Sequence, residues 1–213
     1  MSAGNSHTMA IREDGSLWAW GNNGDWRLGA VWDDDEMTRS TTPVQVGTAT
    51  NWAFVAAGER HTVAIRTDGT LWAWGFNEVG QLGDSTTVTR FTPVQVGTGN
   101  DWVAVSAGGS HTVATRRDGS LWAWGRKSGI NRWGGLTVVR NYGSTPVRVM
   151  TPENLVSVSV AAGNGYTVAI GTDGKLWSWG GNNNGQLGDG SGYRRGAISG
   201  EGVTERLLSG LYK

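Results

Sequence analysis

The whole histidine complement of this 213-residue chain is three residues, and each opens the same phrase: His7 in HTMAI, His61 in HTVAI and His111 in HTVAT. Three imidazoles around an open fourth position form a catalytic zinc arrangement in which bound water is acidified toward neutral pH. His7, His61 and His111 are therefore the candidate metal ligands, and a zinc-dependent hydrolase of esters or peptides is the alternative function. The same residues admit a plainer role. A histidine that follows Ala-Gly and starts a strand can cap the turn by hydrogen bonding to the backbone, which requires no cofactor. Ligand distances of about 2 Å are short for side chains on separate repeats. The preferred reading is accordingly a noncatalytic protein with no cofactor.

Other chemistry is thinner. No G-x-S-x-G elbow accompanies the plentiful serines, so a serine triad has little support. The aspartates of the recurring Asp-Gly pairs belong to turns. The run Asp33-Asp34-Asp35-Glu36 lacks the spacing of a calcium-binding EF-hand and reads as a solvated loop beside Trp32. The corresponding stretch of the third repeat is basic, with Arg126, Lys127, Arg132 and Arg140 around Trp133. Opposite charge on matching loops could join two chains, and such a joint would be salt-sensitive. No glycine-rich phosphate loop precedes a helix, so nucleotide binding is not expected. Trp26, Trp32 and Trp133 lie outside the repeated strands; with Arg132 they are the candidate partner-binding residues.

The elements that must position these groups recur. Asp-Gly pairs stand at 14–15, 68–69, 118–119 and 173–174, at intervals of 54, 50 and 55 residues. A period near fifty is in the range of propeller blades. Within the second copy, alternating hydrophobicity places strand A at 51–58, B at 61–67, C at 70–76 and D at 92–97. Asp68-Gly69 is read as a two-residue hairpin turn between B and C. Val63 and Ile65 share one face of B, and Trp72 and Trp74 share one face of C, so both faces of the sheet need cover. Stacked sheets provide it, with the indole pairs of one expected on the small Ala-Ala-Gly segments of the next. Pro43, Pro93 and Pro146 are expected to open the D strands.

Composition agrees with many short strands: 35 glycines and 13 tryptophans are well above ordinary usage. Eighteen basic and 18 acidic residues cancel, which argues against a nucleic-acid or polybasic membrane partner. Cysteine is absent, excluding disulfides and thiolate chemistry. No apolar run is long enough to span a membrane, and the N-terminus shows no signal peptide.

The wording AAGxxHTVAIxxDGxLWAWGxNxxGQLGD…TPVQV resembles the regulator-of-chromosome-condensation repeat, and it covers residues 1 to about 190. The resemblance implies an all-β fold of four-stranded antiparallel blades, usually seven to a ring. Family functions implied by it are diverse: nucleotide exchange on a small GTPase, inhibition of β-lactamase, and ultraviolet-B reception. The receptor's sensing tryptophans would precede the His-Thr pair, where this chain has Asn5-Ser6, Glu59-Arg60, Gly109-Ser110 and Asn164-Gly165. Photoreception is therefore not implied. The plain Gly, Ser and Thr wording resembles bacterial members, which tend to be extracellular or surface-associated.

Copies are expected at about 1–50, 51–100, 101–154 and 155–190, followed by a non-repeat tail at 191–213. Counted as D-A-B-C blocks, three are complete between 42 and 180 after an orphan B-C hairpin. Four blades form a partial propeller with two bare apolar faces, so a homodimer completing a ring of about eight blades is expected. The leading function is a scaffold whose loops at 22–41 and 126–143 meet a protein partner. A propeller fragment without evolved function is the remaining reading.

Overall fold

The computed structural model describes residues 1–30, 38–126, 143–149, 157–190 and 195–199. Among them every regular element is a β-strand, and no helix is long and apolar enough to cross a membrane. Sixteen strands form four antiparallel sheets of four, each a meander of consecutive strands.

Blade one comprises β1 (Ser2–Ala3), β2 (His7–Ile11), β3 (Leu17–Asn22) and β4 (Arg39–Gln45). Blade two comprises β5 (Trp52–Ala57), β6 (His61–Arg66), β7 (Leu71–Gly75) and β8 (Arg90–Gln95). Blade three comprises β9 (Trp102–Ala107), β10 (His111–Arg116), β11 (Leu121–Gly125) and β12 (Val147–Arg148). Blade four comprises β13 (Ser157–Ala162), β14 (Tyr166–Gly171), β15 (Leu176–Gly180) and β16 (Arg195–Ser199).

The D-A-B-C grouping is corrected by this pairing: each D strand hydrogen-bonds to the C strand just before it, so the blades are A-B-C-D. The short first A strand completes blade one. Arg195–Ser199, from the stretch that carries no repeat wording, supplies the fourth strand of blade four, with Ser178 opposite Ile198.

The Asp-Gly turn is a three-residue connection. Arg12 N–H donates to the Ser16 carbonyl and Gly15 N–H to the Arg12 carbonyl, which leaves Glu13, Asp14 and Gly15 as the loop. Gly15 has φ 76°, and Asp14 is not among the positive-φ residues, as a two-residue type I′ turn would demand. Asp14 Oδ1 instead accepts Ser16 N–H and Oγ–H at 2.9 and 2.6 Å, and Asp68 repeats this with Thr70. Pro43 and Pro93 lie inside β4 and β8 rather than at their starts, tolerable because these are outer edge strands.

The core sits between blades. Met9, Leu17, Ala19, Leu28 and Val46 of blade one pack on Trp52, Val55, Ala57, Ala64 and Trp74 of blade two. Blades two and three repeat the joint with Val63, Leu71, Ala73, Leu82 and Val96 against Trp102, Val105, Ala114 and Trp124. Thus the indoles face the preceding blade's B and C strands, not the Ala-Ala-Gly segment of the following one. Within a blade the A-strand indole packs edge-on against the C-strand pair: Trp52 lies 6.1 Å from both Trp72 and Trp74. Arg66 and Arg116 stack over Trp72 and Trp122 at 3.8 and 4.3 Å.

Candidate partner-binding site

The repeated histidines join blade to blade. His7 Nε2 lies 2.9 Å from Thr62 Oγ1, His61 Nε2 2.9 Å from Thr112 Oγ1, and His111 Nε2 3.0 Å from Thr167 Oγ1. The Thr62 hydroxyl donates to the Arg27 carbonyl at 2.7 Å, and the Thr112 hydroxyl to the Gln81 carbonyl at 2.7 Å. A hydroxyl has one proton to give, so at both joints it accepts from histidine Nε2–H. Burial pushes the imidazoles down, to about 4 for His7 and His111 and about 3 for His61. All three rings are neutral at pH 7, with the proton on Nε2 at those two joints.

The candidate ligands therefore do not converge. Each directs Nε2 to a different threonine, and no group of three His, Cys, Asp or Glu side chains among the described residues could share a cation. The turn-capping expectation is also refined: the ring bonds a threonine hydroxyl of the next blade, not backbone. Capping of the turn itself is backbone work, Gly58 N–H donating to the His61 carbonyl at 2.9 Å. The chain then steps across blades, with Asn5 N–H donating to Gly58 O at 3.2 Å and Glu59 N–H to Gly108 O at 3.2 Å. The same turns surround a shallow concavity bordered by Asn5, Glu59, Gly109 and Asn164.

Trp26 is different. Aligning Asp25-Trp26-Arg27-Leu28-Gly29 with Val79-Gly80-Gln81-Leu82-Gly83 puts this indole where the second copy has glycine. Gly80 and Gly185 have φ 80° and 74°, and Trp26 has φ 60°, one of only two non-glycine residues in that region among those described. A left-handed conformation costs a bulky residue roughly 1–2 kcal/mol. The loop enforces it: Asn23 Oδ1 accepts Leu28 N–H at 3.1 Å, and Trp26 N–H donates to the Asn23 carbonyl at 2.9 Å. The ring, half-buried, stops 4.5 Å from Phe91 on the outer strand of blade two, and Phe91 is 55% exposed.

Beside the aromatic pair, Asp25 organises a charged network. Its carboxylate takes Arg60 in a fork, Nε at 2.9 Å and Nη2 at 2.6 Å, and also pairs with Arg27. Burial raises the Asp25 carboxyl, but the Arg60 hydrogen bond and the Arg27 charge hold it below the ordinary aspartate value. Arg27 reaches on to Ser6 Oγ and the Glu59 carbonyl, each at 2.8 Å. Arg60 covers the Phe76 ring at 3.7 Å. Loop residues of blade one are thereby locked to blade two. Of the other candidate contacts, Trp32, Trp133 and Arg132 lie outside the described residues, as do the acidic run 33–36 and the basic residues Lys127 and Arg140. Sequence reasoning missed Phe91, Arg60 and Asp25; the tryptophan at a glycine position was the available signal.

The regulator of chromosome condensation (RCC1) repeat is matched at residues 14–65 and 68–115, and a second description of that repeat at 1–25, 52–81 and 158–186. The ultraviolet-B receptor UVR8 of Arabidopsis thaliana is 33% identical over 201 residues, covering 92% of this chain and 44% of the receptor. The mouse regulator of chromosome condensation is 41% identical over 83 residues, 39% of this chain and 20% of that protein. Among solved structures, human WBSCR16 aligns with TM-score 0.78 at 21% identity, covering 92% of this chain and 51% of that one. Prp20p of Saccharomyces cerevisiae aligns with TM-score 0.73 at 21% identity, covering 98% and 57%. The chain thus spans about half of these structures and less than half of the receptor.

Proposed function

The chain belongs to the regulator of chromosome condensation repeat family, and from that premise we propose that it is a protein-interaction scaffold whose contact surface is the Trp26–Phe91 rim between blades one and two. The observation that carries the reading is Trp26 itself. A bulky residue is kept in a left-handed conformation where other copies use glycine, and its ring is partly exposed against an exposed phenylalanine. Strain of this kind persists where surrounding structure over-determines it and is concentrated at functional sites. Rigid aromatic area beside an ordered arginine pair is the composition of interface hot spots. Protein binding is also the work named for related folds: Prp20p is described with its binding to Gsp1p and histones, and yeast RCC1 was solved with Kap60 bound. A second copy of the chain completes the ring in this reading, leaving the rim free.

The test replaces Trp26 by glycine, the residue the repeat itself uses. Stability is expected to stay level or rise by up to about 1 kcal/mol, since relief of the left-handed conformation offsets the lost ring contact. A protein captured by the wild-type chain is purified and titrated against both forms by calorimetry. A loss of affinity of tenfold or more in W26G supports the rim; equal affinity overturns it.

A further inference from the structure

At the shallow concavity between the A–B turns, the turn glycines have no N–H to give. Those of Gly4, Gly58, Gly108 and Gly163 donate to the carbonyls of His7, His61, His111 and Tyr166, and the N–H groups of Asn5, Glu59 and Gly109 donate to the glycine carbonyl of the next blade. Acceptors are what remain. A carbonyl oxygen has two lone pairs, so Gly58 O, Gly108 O and Gly163 O each keep one after receiving a single N–H. Behind the floor, His7 carries its proton on Nε2, and its Nδ1 is buried without a partner, 2.8 Å from where a Gly4 Cβ would stand. The second turn position adds side chains: Asn5, Glu59, Gly109 and Asn164 in blades one to four. Because 109 is glycine, Glu59 Oε2 of blade two and Asn164 Oδ1 of blade four meet over blade three, 3.0 and 2.6 Å from where its Cβ would be. Among the described residues the Glu59 carboxylate makes no hydrogen bond or ion pair, while the neighbouring cations Arg27 and Arg60 are bound to Asp25.

We propose that this concavity binds a primary ammonium group on an alkyl stem, the head seated between Glu59 and Asn164 and the stem on Ala57, Ala107 and Ala162. The three N–H donors of an ammonium suit one carboxylate and a few neutral acceptors. Calcium takes roughly six to eight oxygens, more than one carboxylate and an amide begin to supply. An anion would face Glu59 and find the turn N–H groups already engaged. The three alanines line the concavity and give methylene groups an apolar wall. Its volume of about 260 Å³ admits a head and a short stem rather than a drug-sized molecule, whose pockets run to roughly 300–1,000 Å³. The site is separate from the Trp26–Phe91 rim and does not depend on it.

Chemical-shift titration of the isotope-labelled chain with butylammonium tests it. Millimolar binding is expected, since a partly exposed ion pair is worth little, with the largest shifts at the amides of Gly58, Glu59 and Gly109 and weaker binding at high salt. Glu59→Gln removes the charge and keeps the shape. Gly109→Ala sets a methyl group against two flexible side-chain tips, at a residue whose φ is not positive, so the fold is kept. Each is expected to weaken binding about fivefold or more while the folded spectrum is retained. Asn164→Asp adds a second carboxylate and is expected to tighten it. Acetyl-lysine methylamide, acetylated on its α-amine only, is titrated alongside: tighter binding than butylammonium assigns the site to a lysine of a protein, and weaker binding assigns it to a free amine. Equal shifts with butanol, affinity unchanged by E59Q or G109A, or no tightening in N164D overturns the proposal. None of these outcomes touches the Trp26 rim.

Discussion

Neutral buried histidine is expensive to protonate, and this chain places three of them at successive joints. In the Nε2–H tautomer each ring satisfies the next blade's threonine, while the Nδ1 atoms of His7 and His61 are buried without a partner. Adding a proton there puts charge where nothing receives it, so the folded pKa falls from 6.5 to about 4 or 3 while the unfolded chain keeps the ordinary value. The unfolded state then binds more protons in that window, and stability present above pH 6.5 is lost as pH falls toward the folded pKa. Roughly 2 kcal/mol per histidine is expected to disappear between about pH 7.5 and 5, read from denaturant midpoints at each pH. His61→Gln keeps a neutral donor for Thr112 but cannot titrate. Its loss over the same range should be about one histidine smaller than wild type, and an unchanged slope would show that the rings do not set it.

At the scale of the element, the A–B turn shows how the repeat wording becomes contact. A Cβ added to Gly58 would stand 2.7 Å from the Gly108 carbonyl oxygen and 2.9 Å from the His61 ring, and Gly108 has the same relation to Gly163 O at 2.5 Å. Backbone cannot yield as a side-chain tip can. Gly58→Ala is therefore expected to destabilise by about 1–3 kcal/mol, measured by urea unfolding, whereas Gly47→Ala, with open space around it, loses only what its φ of 60° imposes. Strand alternation and the Asp-Gly spacing made the B-C hairpins legible in the sequence, because local periodicity encodes them. The direction in which Trp72 and Trp74 face was not legible, since alternation says that two faces differ but not which neighbour each meets. The Thr62 and Thr112 partners of the histidines were hidden for the same reason, lying 55 and 51 residues away in a contact made only by stacking. Arg195–Ser199 was missed because an outer D strand pairs through its backbone on one side and needs no repeat wording to do so. Trp26 was singled out from the sequence as lying outside the strands; Phe91 belongs to the neighbouring blade's outer strand, where nothing in the wording marks it.

For the whole molecule, stability in a stacked array is close to a sum of blade terms and nearest-neighbour joints. Among the described residues, blades two and three have two joints each, and blades one and four have one. The C-strand indoles show the difference at the leading edge: Trp74 and Trp124 of the inner pair are fully buried, while Trp20 of blade one is only half-buried. Local opening draws on the joints that must break, so backbone amides of β6, β7, β10 and β11 should exchange slowest and those of β2, β3, β14 and β15 faster. In dilute solution the difference is expected to reach at least tenfold, followed residue by residue with deuterium. Equal exchange in all four blades at low concentration would mean that the arc opens as a single unit.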